Sequence, residues 1–301
     1  MVEGERETME LGIGEADENS RPQMFFRDNY PSKKKGLRLI AVSSINSNLE
    51  ILNTLNKYLI YNDITNIDFV ACTGSLANCD DGAGIVANDK VDVASLGTSS
   101  SVACALEKIV CSVYYVPGDS DPDVCYGEQG KGPNALRPTE TPKLTHSSFN
   151  VHSKASLVKE SLVLAGVGGK QGQWVRQGGA SGNSTGIKLK EIREHVNKEC
   201  PGVPILLLSH NSPASAPTDS HGKDAALASD AYKDFFAEED VVLNIAGGCG
   251  GGSEQGQTIV SGVPVICPGR LDGGKFAVID LSRTDDGTGW KLGSVEFKSL
   301  F

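Results

Sequence analysis

An α/β fold is predicted for this chain on three observations. Short apolar runs, such as LRLIAVS at 37–43 and VPILLLSH at 203–210, have the length and composition of buried strands. Longer segments between them carry apolar residues every three or four positions, the period of a helix lying on a core. Beyond residue 240 the helical segments cease, and strand-like runs follow one another through turns as a β-meander.

The elements follow in order. LRLIAVS is the first strand. A helix runs over Asn48–Tyr61, with Leu49, Leu52, Leu55 and Leu59 on one stripe. IDFVACTG (67–74) is a strand, VDVASLG (91–97) is read as another short one, and 101–110 as a helix leading to the strand CSVYYVPG (111–118). The stretch 119–145, with DSDPD, several Gly and PTETPK, is a long loop. VKESLVLAGVGG (158–169) contains a strand, and 186–200 is a helix carrying Leu189, Ile192 and Val196. VPILLLSH is a strand, 224–239 a helix, and VVLNIAGG (241–248) a strand. TIVSGVPVICPG, GKFAVIDLS and GWKLGSVEFKSL are consecutive closing strands. With no internal repeat, residues 37–301 read as one domain. Residues 1–36 are Glu-rich, poor in apolar side chains and interrupted by Pro22 and Pro31, the composition of a disordered acidic extension.

Composition excludes several roles. The net charge of −10 opposes general nucleic-acid binding, which needs phosphate-neutralising Lys and Arg. The basic run Lys33-Lys34-Lys35 reads as a solvated linker. No stretch is long and apolar enough for a membrane span, and the acidic N-terminus resembles neither a secretory signal nor a presequence, so a cytoplasmic protein without membrane contact is expected. Eight cysteines contain no CxxC pair, and reduced thiols in a cytosolic compartment are expected. The sequon Asn183-Ser184-Thr185 then has no role.

Five strands end in polar or Gly-rich turns: VSSINSN, CTGSLAN, VPGDSDP, LLLSHNSP and IAGGCGGG. In set and order these resemble the calcineurin-like metallophosphoesterase family, whose turns run D-x-H-G-N, G-D-x-x, G-N-H-D, a lone S-H, and G-H-x-H. NVHSKASLVKESLVLAGVGG and VPVICPGRLDGGKFAVIDL resemble further family segments, so the likeness spans roughly residues 37–282. It implies a four-layer αββα sandwich, two mixed β-sheets packed face to face with helices outside. It also implies a centre of two divalent cations held by the turns. Here the implied ligands have changed. Ser44 and Asn46 stand for the Asp and His of the first turn, and Ser75 for the bridging Asp. Asp119 stands for the metal-binding Asn and Ser120 for the substrate-facing His, while Gly248 and Gly250 replace both final imidazoles. Two close dications repel and need anionic ligands, and a neutral Ser hydroxyl does not replace a bridging carboxylate.

The resemblance therefore leads to a catalytically silent phosphoesterase fold, a pseudoenzyme binding a protein partner or packing as a scaffold subunit. No catalytic residue and no resident metal are expected. The alternative is a divergent phosphomonoester or phosphodiester hydrolase with a remodelled site. There Asp119, Asp121 and His210 would hold one weakly bound divalent cation (Mn²⁺, Mg²⁺ or Ca²⁺). A third reading is an anion or nucleotide sensor using the Gly-rich loops. Against it, Gly166–Gln171 lacks both the Walker and the GxGxxG spacing. The acidic runs 119–123 and 80–82 read more simply as turns, Cys249 has no adjacent base, and no GxSxG elbow supports a serine hydrolase.

Overall fold

The computed structural model describes residues 36–77, 93–110, 112–121, 125, 144–158, 161–169, 184–213, 230–238, 240–248 and 255–301. The acidic extension, the 80–82 turn, Cys249, Gly250 and most of the 119–145 loop lie outside the described residues.

Among the described residues, twelve strands form two six-stranded sheets. The first contains β1 (Gly36–Val42), β2 (Phe69–Cys72), β3 (Val113–Tyr115), β4 (Ser148–Asn150), β11 (Lys275–Arg283) and β12 (Trp290–Ser299), in the order β12-β11-β1-β2-β3-β4. The second contains β5 (Ala155–Val158), β6 (Leu162–Val167), β7 (Ile205–Asn211), β8 (Val241–Gly248), β9 (Gly256–Val260) and β10 (Val263–Cys267), in the order β5-β6-β7-β8-β10-β9. The first sheet is parallel from β1 to β4 and antiparallel through β11 and β12, and the second is parallel from β6 to β10 and antiparallel at both edges. Parallel neighbours need crossover connections, and helices α1 (Leu49–Tyr61), α2 (Val93–Glu107) and α3 (Ser184–Glu199) supply them, with a further helical segment at 230–236.

Strand periodicity sorts the side chains into three apolar layers. Leu37, Leu39, Ala41, Phe69, Ala71 and Tyr114 of the first sheet meet Leu162, Leu164, Leu206, Leu208, Leu243 and Ile245 of the second. The alternate residues Ile40, Val42, Val70, Cys72, Val113 and Tyr115 meet Leu52, Leu55 and Leu59 of α1 and Val102 and Leu106 of α2. On the outer face of the second sheet, Val163, Ile205, Leu207 and Val265 meet Leu189, Ile192 and Val196 of α3, with Tyr232 and Phe236 of the last helical segment. Three apolar layers separate four structural ones, the αββα sandwich that the resemblance implies.

Four details differ from the sequence expectations. The segment read as a strand at 91–97 begins α2 at Val93, because β2 and β3 pair directly and leave no slot between them. β4 has no apolar run to announce it; pairing with β3 and the bond from Asn150 Nδ2 to the Cys125 carbonyl hold it in place. In α1 the stripe uses Ile51 while Leu49 is exposed, since Asn48 caps the helix by accepting from Ile51 N at 3.0 Å. Among the cysteines, Cys72 and Cys104 are free thiols but Cys267 is disulfide-bonded, which corrects the expectation of an all-reduced set.

Candidate functional site

The carboxyl ends of β1, β2, β3, β6, β7 and β8 converge, and the turns leaving them lock to one another. The turn after β1 is zipped to the turn after β2. Ser44 N donates to the Gly74 carbonyl, Ile45 N and Asn46 N to that of Ser75, and Ser47 N to that of Leu76, over 2.5–3.1 Å. Ser44, Asn46 and Ser47 all take left-handed backbone conformations (φ 51°, 52° and 64°). Non-glycine residues visit this region seldom, and such strain persists only where the surroundings enforce it. Here the enforcement comes from both sides. On the side away from β2, just before β11, Leu271 N and Asp272 N donate to the Ser43 and Ser44 carbonyls, and Asn46 Nδ2 donates to Asp272 Oδ2 at 2.8 Å. Arg270 in turn donates to the Asp272 carboxylate, which is held below the usual aspartate range: burial raises it, but the bonds from Arg270 and Asn46 outweigh that.

The turn after β3 is clamped by Asp121. Its carboxylate is wholly buried and accepts four bonds from three backbone N–H groups, those of Leu76 (2.8 and 3.1 Å), Ala77 (2.8 Å) and Gly118 (2.8 Å). Burial pushes the Asp121 carboxyl up from its ordinary value, against the downward pull of those N–H groups and of His210. Asp121, expected as a third ligand beside Asp119 and His210, instead ties the third turn to the second.

His210 sits at the end of β7. Its Nδ1 lies 2.7 Å from the Thr73 carbonyl, which fixes the proton on Nδ1 and leaves Nε2 facing Asp119. Asp119 Oδ2 is 3.5 Å from Nε2, and the Asp119 backbone N is 3.4 Å away. Burial pulls the His210 pKa down. Asp119, the Thr73 carbonyl and Asp121 together outweigh burial, so the net shift is upward. Asp119 and His210 are thus brought together.

Three glycines wall the imidazole. A Cβ on Gly118 would overlap Ser75 Oγ and stand 2.7 Å from His210 Cε1. One on Gly169 would overlap His210 Cδ2 and Asp119 Oδ1, and one on Gly74 would overlap Gly118 N. Gly247 in β8 similarly lies where a Cβ would meet the Thr73 carbonyl at 2.7 Å and Ser43 Oγ at 2.8 Å. Ser75 is buried and Ser120 is half-buried. Gly248 pairs with Asn211, whose Nδ2 donates to the Gly169 carbonyl. Among the described residues no three His, Cys, Asp or Glu side chains gather closely enough to ligate one ion.

Behind this rim His152 is buried. Its Nδ1 accepts from Gly168 N at 2.7 Å, which requires a neutral ring. Burial, with the charges of Lys188 and Lys154, holds its pKa well below the ordinary histidine value. The linkage follows: unfolding lets the ring take a proton below about pH 6.5, so this contribution is present above that pH and is lost as pH falls toward the folded pKa. The urea midpoint of the wild type should therefore drop between pH 7 and pH 5 by more than that of His152→Asn, which keeps an acceptor but cannot titrate. Parallel pH profiles would refute the assignment.

Sequence reasoning placed Ser44, Asn46, Ser75, Asp119, Ser120 and His210 at these turns but missed Asp272, the clamp role of Asp121 and the wall role of Gly118 and Gly169. Ser47 carries a usable signal, since it takes the left-handed position where the resembled motif has Gly.

No family model and no curated protein matches this sequence. Solved structures do. The chain aligns with TT1561 of Thermus thermophilus at 18% identity over 88% of this chain and 99% of that one, with a TM-score of 0.51. A further crystal structure aligns at 12% identity over 88% of this chain and 100% of the other, with a TM-score of 0.56. A candidate 5′-nucleotidase from Staphylococcus aureus, crystallised with α-ketoglutarate, aligns at 14% identity and a TM-score of 0.51, over 88% of this chain but 54% of its own. At such identities the likeness is one of fold, the αββα sandwich of two mixed sheets described above.

Proposed function

We propose that this chain is a phosphoesterase-fold protein that performs no metal-dependent hydrolysis and acts by binding a protein partner, as a scaffold or assembly subunit. The observation that carries the reading is what the polar groups of the turns are engaged in. The Asp121 carboxylate is spent on backbone N–H groups, Asn46 and Asp272 on each other and on Arg270, and His210 Nδ1 on a carbonyl. Among the described residues one carboxylate, that of Asp119, lies beside the imidazole, with Ser75 where the resemblance would put a bridging carboxylate. Such a set does not fit a pair of dications, whose charge needs several anionic ligands. These hydrogen bonds lock the turns to one another.

A second reading rests on the 3.5 Å approach of Asp119 Oδ2 to His210 Nε2, two donors able to share one weakly held divalent cation. One experiment separates the two. Protein purified with added Mn²⁺ is analysed for metal and assayed on aryl phosphate mono- and diesters, alongside His210→Ala and Asp119→Ala. The scaffold reading expects no stoichiometric metal and no turnover above that of the variants. One metal per chain, lost with turnover in both variants, would establish the single-metal enzyme. Two metals per chain, with turnover abolished by His210→Ala, would sink the proposal outright.

A further inference from the structure

Among the described residues the two sheets have four edge strands, and three are defended against pairing with another chain. β4 has three residues and β5 four, with Lys154 just before it. β12 has ten residues, but it carries Lys291, Glu296 and Lys298, and its register against β11 shifts between Asp280 and Leu281, leaving Gly293 as a bulge. Shortness, charge and bulges are the devices that keep edges single. β9 has a different character. Its sequence GQTIV holds no charge and no proline, and all five residues keep unbroken antiparallel register with β10, from Gly256↔Cys267 to Val260↔Val263. Gln257, Thr258 and Ile259 are exposed, Ile259 to 68%. Ser261 and Gly262, both with positive φ (48° and 82°), make the tight two-residue turn that fixes β9 as a ribbon with β10.

We propose that β9 is a self-association edge: two copies of this chain pair their β9 strands antiparallel about a two-fold axis at Thr258, joining two six-stranded sheets into one. The occupant is a second copy because the strand is compatible with itself. The two-fold places Gly256 opposite Val260, Gln257 opposite Ile259 and Thr258 opposite Thr258, so no like charges meet and a favourable Thr–Thr pair sits at the centre. It also sets the two exposed Ile259 side chains diagonally on one face, about 7–8 Å apart. Full-length pairing of β12 with its own copy would instead oppose Lys291 to Lys298 twice. The five-residue contact is small beside the roughly 1,200–2,000 Å² of a stable interface, so the dimer is concentration-dependent. Because each copy carries a net charge of −10, added salt tightens it, whereas a complex with a basic partner would loosen. The proposal stands whether or not the site is catalytic.

Sedimentation velocity of the full chain, at protein concentrations from about 5 to about 500 µM and at low and high NaCl, tests it. The wild type should move from monomer to dimer with concentration, further at high salt. Thr258→Lys and Ile259→Lys should each weaken the dimer about tenfold or more, while Phe297→Lys on β12 leaves it unchanged. Hydrogen exchange in the wild type keeps the test independent of variant folding, since peptides spanning 256–260 should exchange more slowly at high protein concentration. A wild type that stays monomeric throughout, a dimer indifferent to both lysines, or exchange at 256–260 that ignores concentration would each overturn the proposal.

Discussion

Asp121→Ala should destabilise the protein by about 3–5 kcal/mol, because it strands three buried backbone N–H groups. The carboxylate is wholly buried and is the acceptor for Leu76, Ala77 and Gly118, so a single side chain joins the turns after β2 and β3. Each unsatisfied donor carries its own desolvation cost of about 1–3 kcal/mol, offset in part if water enters the space left behind. For a chain of this size the loss corresponds to a fall in melting temperature of roughly 10 °C. Asp119→Ala, two residues away with its side chain 64% exposed, should cost less than about 1 kcal/mol. Urea titrations of the two variants make the comparison. If Asp121→Ala costs no more than Asp119→Ala, the clamp is not holding the turns. The contrast also bears on function, since a residue required for folding irrespective of metal is a poor ligand candidate however acidic its surroundings look in sequence.

Much of the fold was legible because its strands are buried on both faces and so read as continuous apolar runs, IDFVACTG and VPILLLSH above all. α2 was read partly as a strand because V-D-V alternates, and only the direct pairing of β2 with β3 excludes a strand there. β4 was invisible because three residues, Ser148-Phe149-Asn150, owe their conformation to β3 and to Asn150 rather than to their own pattern. At the site, the order of the turns showed which positions gather, since that depends on strand ends. What each polar group does once gathered was hidden. Asn46 meets Asp272 across 226 residues and His210 meets Thr73 across 137, and no spacing rule carries such contacts. The left-handed backbone at Ser44 was equally hidden, because a serine seldom announces it, whereas Asn46 and the Ser47 that replaces the motif's Gly offer a hint.

Gly74→Ala and Gly202→Ala form the other large expected contrast. Both glycines have left-handed backbones, with φ of 77° and 74°, so both substitutions incur the same conformational strain of about 1–2 kcal/mol. Around Gly202 a Cβ meets nothing within 4 Å, so the strain is the whole effect. At Gly74 the Cβ would overlap Gly118 N, stand 2.5 Å from Gly118 Cα and reach 3.0 Å from His210 Nδ1. Backbone yields less readily than a side-chain tip, and Gly118 N is itself held by Asp121 at 2.8 Å, so the third turn cannot retreat without breaking its clamp. Gly74→Ala should therefore cost at least about 3 kcal/mol, overpacking added to strain. The two losses should also fail to add. Once Asp121→Ala releases Gly118, the turn can move aside for the new methyl, and the double variant should lie above the sum of the singles by about 1 kcal/mol or more. Additive losses, or equal effects at Gly74 and Gly202, would mean that the turns are not packed against one another as a single locked unit.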